Sequence, residues 1–162
     1  MKPKSSSPNP WKVILIAGLV AGTLDITAAC IHAYLKNNVP PGRVLKYIAS
    51  AVFGKDAYSG GMIMNAWGLF FHYLIALGLA AFFVFLYQRW SLLSKNIVVT
   101  GLLYGIFAWV ATTRFIIPVF STLKQQPFVL KNAIVAIVIL MFCIGLPIAL
   151  ITKKYYSRPV SA

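Results

Sequence analysis

The sequence predicts an all-α membrane protein, a bundle of four transmembrane helices with one short interfacial helix. Apolar residues make up 60 % of the 162-residue chain and charged residues only 10 %, whereas a soluble domain carries about 25 % charged residues. The apolar residues gather in four long runs, and about 20 of them span a hydrocarbon core of about 30 Å. So apolar a composition excludes a soluble domain and a disordered chain.

The four predicted spans cover residues 13–35, 62–87, 97–120 and 133–152. Each is expected to be an α-helix because backbone groups cannot stay unpaired in lipid. Together they form one domain, 13–152, between tails 1–12 and 153–162. The first span is expected to be retained rather than cleaved as a signal peptide, since Asp25 interrupts it and apolar residues continue past Cys30.

A short helix is predicted over residues 43–53, between the first two spans. Pro40-Pro41-Gly42 precedes it, and proline suits a helix start. Apolar side chains then recur at helical spacing, with basic residues on the other side. This pattern predicts a helix lying on the outer membrane surface, and it leaves open a role as a lid over a central cavity. Its apolar positions are Val44, Leu45, Ile48, Ala51 and Val52.

The charge balance points to a lipid surface. Lys and Arg number 15 against two acidic residues, Asp25 and Asp56, for a net charge of +13. The basic residues flank the apolar runs, so anionic lipid headgroups are the expected partner rather than nucleic acid. Slightly more of them fall on the side of the chain termini, which predicts that both termini are cytoplasmic. A second copy of the chain and another membrane protein remain open as partners.

Ionisable residues inside the spans are the candidate site. Each costs at least about 2.5–3.5 kcal/mol at membrane depth unless it is paired or wet. The helical rise places Asp25 and His72 roughly 15 Å below the outer ends of their spans, Arg114 about 9 Å, and His32 and Asn65 about 5 Å. These five residues are predicted to line a pocket in the outer half of the bundle.

Two interpretations of this pocket remain open. In the first, it binds or passes an ion or small solute, with Asp25 as the proton or cation acceptor and His72 as its partner. Arg114 is then a counter-charge or anion contact. In the second, the same groups form a closed polar clasp that holds helices together in a structural or accessory membrane protein.

Two glycine pairs predict close helix packing. Gly18-x-x-x-Gly22 lies in the first span and Gly101-x-x-x-Gly105 in the third, and this spacing lets helix backbones approach closely. Packing within the chain is favoured over dimerisation.

The sequence favours neither an enzyme nor a cofactor protein. Phosphate-loop, dinucleotide and zinc-protease motifs are absent, and Asp25 and Asp56 lie in different layers, so no carboxylate pair is expected. A haem site between His32 and His72 is disfavoured because their depths differ by roughly 10 Å. The polar residues show no recognised metal-ligand spacing. No catalytic residue, metal or cofactor is therefore expected.

Four stretches carry a family resemblance. They resemble a group of small four-helix bacterial inner-membrane proteins and, more distantly, the YagU-like family, over Ile14 to Lys154. The resemblance implies a bacterial source and an inner-membrane location, and it supplies no activity. The stretches are Gly18-Leu-Val-Ala-Gly-Thr-Leu-Asp25, Val52-Phe-Gly-Lys-Asp-Ala-Tyr-Ser-Gly-Gly61, Gly68-Leu-Phe-Phe-His-Tyr-Leu-Ile-Ala76 and Gly145-Leu-Pro-Ile-Ala-Leu-Ile-Thr-Lys-Lys154.

Overall fold

A computed structural model describes residues 9–117 and 129–157, and this part of the chain contains helices and no strand. Four of the helices are long and apolar enough to cross a membrane, so the predicted all-α, four-helix membrane fold is confirmed. A 3₁₀ turn over Gly54–Tyr58 joins the second helix to the third. The helices are α1 (Pro10–Asn37), α2 (Pro41–Phe53), α3 (Gly61–Arg89), α4 (Leu92–Lys95), α5 (Ile97–Ile116) and α6 (Leu130–Tyr156).

The membrane-spanning helices extend beyond most of the predicted ends. The first begins at Pro10, where the Asn9 side chain accepts a 3.0 Å hydrogen bond from the Trp11 backbone N–H. The last runs from Leu130 to Tyr156, because its terminal lysines can extend their charges to the lipid–water interface without ending the helix. Residues 118–120 of the predicted third span lie outside the described residues, as do residues 1–8 and 158–162 of the tails.

The helix ends define two sides of the bundle. At one side, the Lys36 ammonium of α1 donates a hydrogen bond to the Asn132 side chain of α6. At the other, the rings of Tyr87 in α3 and Tyr156 in α6 lie 5.8 Å apart. The start of α1 and the end of α6 therefore share one side, called here the terminal side. The opposite side carries α2 and is called the α2 side.

The buried core lies between α1, α3, α5 and α6. Small residues on α1 and α6 let the helices approach, and one buried hydrogen bond crosses the core, from the Tyr104 hydroxyl of α5 to the Leu79 carbonyl of α3 at 2.6 Å. Many large apolar side chains outside the core are exposed, as lipid-facing residues are. The core cluster comprises Ala17, Ala21, Leu79, Ala80, Phe83, Ile97, Tyr104, Ala108, Ile144, Ile148 and Ala149.

The Tyr104 hydrogen bond gives a first prediction. Replacing Tyr104 with Phe keeps the ring, which packs 4.8 Å from the Phe83 ring, and removes only the hydroxyl. We expect the free energy of unfolding to fall by about 0.6–1.7 kcal/mol, from the average to the maximum measured for hydrogen bonds between membrane helices. Thermal unfolding in lipid nanodiscs measures the change. Tyr34→Phe, at an exposed tyrosine, is the control, and equal melting of the two variants would contradict the prediction.

Helix α2 packs against the α2-side part of α3. The backbone of the two helices touches at Gly68, where a side chain would meet the Leu45 carbonyl oxygen. The Phe53 ring lies 5.7 Å from the Trp67 ring and 6.0 Å from the Phe71 ring. Protein therefore covers one face of α2, and the helix begins at Pro41, two residues before the predicted start.

Candidate intramembrane site

Asp25 lies about midway along α1, partly buried inside the bundle. Its carboxyl group interacts electrostatically with His72 of α3 and with the Cys143 thiol of α6. Groups on α3 and α6 therefore lie within electrostatic reach of the Asp25 carboxyl group. The structure thus places two of the sequence-predicted site residues, Asp25 and His72, together.

Cys143 is a site neighbour that the sequence analysis missed. Both cysteines of the described chain are free thiols and only partly buried. A depth signal existed, because Cys143 lies as many residues below the predicted start of the last span as Asp25 lies below the end of the first. A thiol in an apolar run is ordinarily interpreted as a small hydrophobic side chain. For that reason the sequence pattern did not predict Cys143 as a site residue.

Cys143 stands in a π-helical segment of α6, Met141–Gly145. The Leu146 N–H donates to the Met141 carbonyl, five residues back. Pro147 explains this position, since proline has no N–H with which to bond the carbonyl four residues earlier, that of Cys143. Such segments occur frequently at functional sites because they redirect side chains within a helix.

His72 binds the backbone of α1. Its Nε2 atom donates a 2.8 Å hydrogen bond to the Gly22 carbonyl oxygen, less than one turn from Asp25. Beside it, the hydroxyls of Thr23 and Tyr73 share a 2.8 Å hydrogen bond. These two bonds form a polar clamp between α1 and α3.

The Asp25 carboxylate takes no part in this clamp. Within residues 9–117 and 129–157, it forms no hydrogen bond and no ion pair. The clamp is complete without it, because His72 and Thr23 find their partners elsewhere. The structure therefore gives the neighbours of Asp25 a packing role and leaves its charge unassigned.

Arg114 does not join Asp25 and His72, contrary to the expectation that it lines their pocket as a counter-charge. Its side chain is exposed and makes no ion pair within the described chain. The physical reason is helix order, since α5 packs on α6 whereas α1 packs on α3 and α6. Arg114 also lies in a second π-helical segment, Ala111–Ile116, and Pro118, which follows it, is outside the described residues.

His32 and Asn65 lie nearer the α2 side. His32 is partly buried on α1 and makes no hydrogen bond in the described part of the chain. Asn65 lies beneath α2, and its Oδ1 atom is buried with no hydrogen-bond partner. Two clefts of about 470 and 380 Å³ adjoin α2, and neither is lined by Asp25 or His72. The five predicted pocket residues thus separate into a midplane pair, an exposed arginine and two residues near the α2 side.

Both predicted glycine pairs face helices of the same chain. A methyl group at Gly18 would lie 2.7 Å from the Leu77 side chain of α3, and one at Gly22 would lie 3.0 Å from the Tyr73 ring. On α5, Gly101 faces Leu146 and Gly105 faces Met141, both in α6. The glycine motifs therefore bring α1 against α3 and α5 against α6. Gly145 of α6, absent from the predicted packing set, faces Gly101 and Gly105.

Among the described residues, no three His, Cys, Asp or Glu side chains lie close enough together to hold a metal ion. Comparison with models of protein families, with curated proteins and with solved structures finds no match.

Proposed function

We propose that the protein is a non-catalytic integral membrane protein that binds or passes an ion or small polar solute at the Asp25–His72 pair. Asp25 is the proton or cation acceptor and His72 is its partner. One observation carries this proposal: Asp25 lies inside the bundle, within electrostatic reach of groups on α3 and α6, yet forms no hydrogen bond or ion pair within the described chain.

The cost of placing Asp25 inside the membrane favours a function for this residue over a packing role. An aspartate at this depth costs at least about 2.5 kcal/mol on insertion scales. The neighbouring bonds from His72 to the Gly22 carbonyl and from Thr23 to Tyr73 hold α1 to α3 without using the carboxylate. With a packing role alone, no interaction offsets that cost. Binding of a proton or cation, in contrast, requires a carboxylate inside the membrane.

We also propose an orientation for the site. The distribution of Lys and Arg favours both termini in the cytoplasm, and the resemblance to bacterial inner-membrane proteins favours that membrane. The α2 side then faces outward, and a proton or solute would enter from there. His32, which shares the Asp25 face of α1 seven residues on, lies along that route.

Proton flux into liposomes tests the proposal. Purified protein is reconstituted with a pH-sensitive dye inside, and a potassium diffusion potential drives protons. We expect flux above that of empty liposomes, and we expect Asp25→Asn to lower it at least tenfold because an amide cannot take up a proton. Asp56→Asn makes the same chemical change at an exposed aspartate in the 3₁₀ turn, so it should leave the flux unchanged.

A pH titration of the carboxyl groups shows whether Asp25 exchanges protons even where no flux is measured. The sequence contains two acidic residues, so carbon-13 labelling of aspartate gives two side-chain carboxyl signals, which Asp56→Asn assigns. A site that exchanges protons with water makes the Asp25 signal shift with pH. Loss of both the flux and this shift would contradict the proposal.

The polar clamp favours a second candidate, a structural or accessory membrane protein held together by its intramembrane bonds. His72→Gln tests it, because glutamine retains an N–H donor for the Gly22 carbonyl and loses the titratable ring. If the clamp is the sole role, His72→Gln should melt near the wild-type temperature, and wild type, His72→Gln and Asp25→Asn should all show only the flux of empty liposomes. If the ionisable pair is the site, both variants keep their fold and lose flux.

A further inference from the structure

We infer that the cleft between α2 and α3 binds the phosphate of a ligand whose headgroup also carries a hydroxyl. The apolar chain of this ligand is accommodated beside the cleft. This basic cleft, of about 470 Å³, is lined by Pro40, Gly42, Arg43, Lys46, Tyr58 and Asn65. It is separate from the Asp25–His72 pair, so the two sites can fail independently.

Two unneutralised cations face the cleft. Arg43 and Lys46 line its wall, and neither forms an ion pair within the described chain. The Lys46 ammonium donates a 3.1 Å hydrogen bond to the Tyr58 carbonyl, which holds the charge in place and leaves two N–H donors. A guanidinium and an ammonium on one wall suit a phosphate group, which offers several oxygen acceptors.

The wall also contains an acceptor without a donor. The Oδ1 atom of Asn65 is buried and unpaired, and a buried acceptor costs free energy until a donor reaches it. Gly42 lets α2 pack directly on this amide, since a side chain there would lie 3.2 Å from the Asn65 amide nitrogen. A bare diester offers no donor, so the ligand needs a donor on its headgroup to satisfy Asn65, and a hydroxyl is the smallest group that supplies one.

A second cleft adjoins the first and is mostly apolar. It has a volume of about 380 Å³, and it shares Arg43 and Tyr58 with the basic cleft. Its other lining residues are Ala33, Val39, Val44 and Tyr47. A charged group at Arg43 therefore has apolar surface next to it, which is the arrangement that an anionic phospholipid with a hydroxylated headgroup requires. Inorganic phosphate shares the headgroup chemistry and lacks the chain.

Native mass spectrometry of the full chain titrated with lipids tests the inference. Phosphatidylglycerol should bind at least about tenfold more tightly than phosphatidylcholine, and Arg43→Gln/Lys46→Gln should remove the preference, since each cation near a membrane surface contributes about a fivefold factor. Arg89→Gln/Lys95→Gln makes the same charge change on the terminal side and should keep it. Equal loss in both pairs, or no loss in the first, would overturn the inference.

A single substitution tests the cleft without disturbing the fold around it. Lys46 holds the Tyr58 carbonyl, so its replacement can loosen the 3₁₀ turn. Arg43→Gln alone avoids this, because the exposed Arg43 side chain makes no hydrogen bond or ion pair in the described residues. It should lower phosphatidylglycerol affinity several-fold at an unchanged melting temperature, and an unchanged affinity would overturn the role of Arg43.

Two further arms identify the ligand. Wild-type protein should prefer phosphatidylglycerol to phosphatidylmethanol, which lacks the hydroxyl, and Asn65→Ala should abolish that preference; equal binding of the two lipids by wild type would overturn the role of Asn65. Sodium phosphate is then added without lipid. If it raises the wild-type melting temperature and not that of the Arg43 variants, a free phosphate suffices. If it has no effect while phosphatidylglycerol binds, the ligand is a lipid.

Discussion

Gly145→Ala is expected to separate α5 from α6 and to cause one of the largest losses of stability that a methyl group can cause in this protein. An added Cβ at Gly145 would overlap the Gly101 carbonyl oxygen and lie 2.5 Å from the Gly105 nitrogen. Both are backbone atoms, which cannot turn aside as a side chain can. Overpacking in a closed core costs about 1–3 kcal/mol, and we expect a value near the upper end, about 3 kcal/mol.

Gly78→Ala is the matched control. Gly78 lies within α3, and a Cβ there meets nothing within 4 Å. Alanine favours the helix over glycine by up to about 1 kcal/mol, so Gly78→Ala should leave the melting temperature in nanodiscs unchanged or higher. The same substitution should thus lower stability at Gly145 and not at Gly78. Equal melting temperatures of Gly145→Ala and Gly78→Ala would contradict the close approach of α5 and α6.

The sequence predicted the fold and the midplane pair because both depend on depth along a helix. Apolar length fixes where a span lies, and the helical rise fixes how deep a residue lies in it. Asp25 and His72 share a depth, and α1 and α3 pack on each other, so equal depth became proximity. The same arithmetic applied to Cys143 would have added the third helix.

Arg114 and Asn65 show where that arithmetic ends. Depth is one coordinate of three, and which helices are neighbours depends on packing. The order of contacts follows from small residues on several helices at once, including Gly145, whose role has no signature in its own segment. The π-helical segment that ends at Gly145 had a signal in Pro147, which removes a backbone donor, but proline does not by itself distinguish a π segment from a kink.

Helix α2 should be released from α3 by Gly68→Ala, while the four-helix bundle keeps its structure. A Cβ at Gly68 would overlap the Leu45 carbonyl oxygen and lie 2.7 Å from the Leu45 carbonyl carbon. Since α2 packs chiefly against α3, the helix can relieve the overlap by moving away as a unit. Loss of this contact, with the Phe53 ring leaving Trp67 and Phe71, should raise the population of the detached state by at least about tenfold, or about 1.4 kcal/mol.

Trypsin cleavage measures that detachment, because Arg43 and Lys46 lie on α2 and a docked helix resists a protease. Cleavage after these two residues should be at least about tenfold faster in Gly68→Ala than in wild type or Gly78→Ala, at a similar melting temperature of the bundle. The variant also separates the two proposed sites. Phosphate binding in the basic cleft needs α2 beside Asn65 and should be lost, whereas proton flux through Asp25 and His72 needs α1 against α3 and should persist. Wild-type cleavage rates in Gly68→Ala would contradict the docking of α2. Loss of both binding and flux would show that the cleft and the midplane pair act as one site.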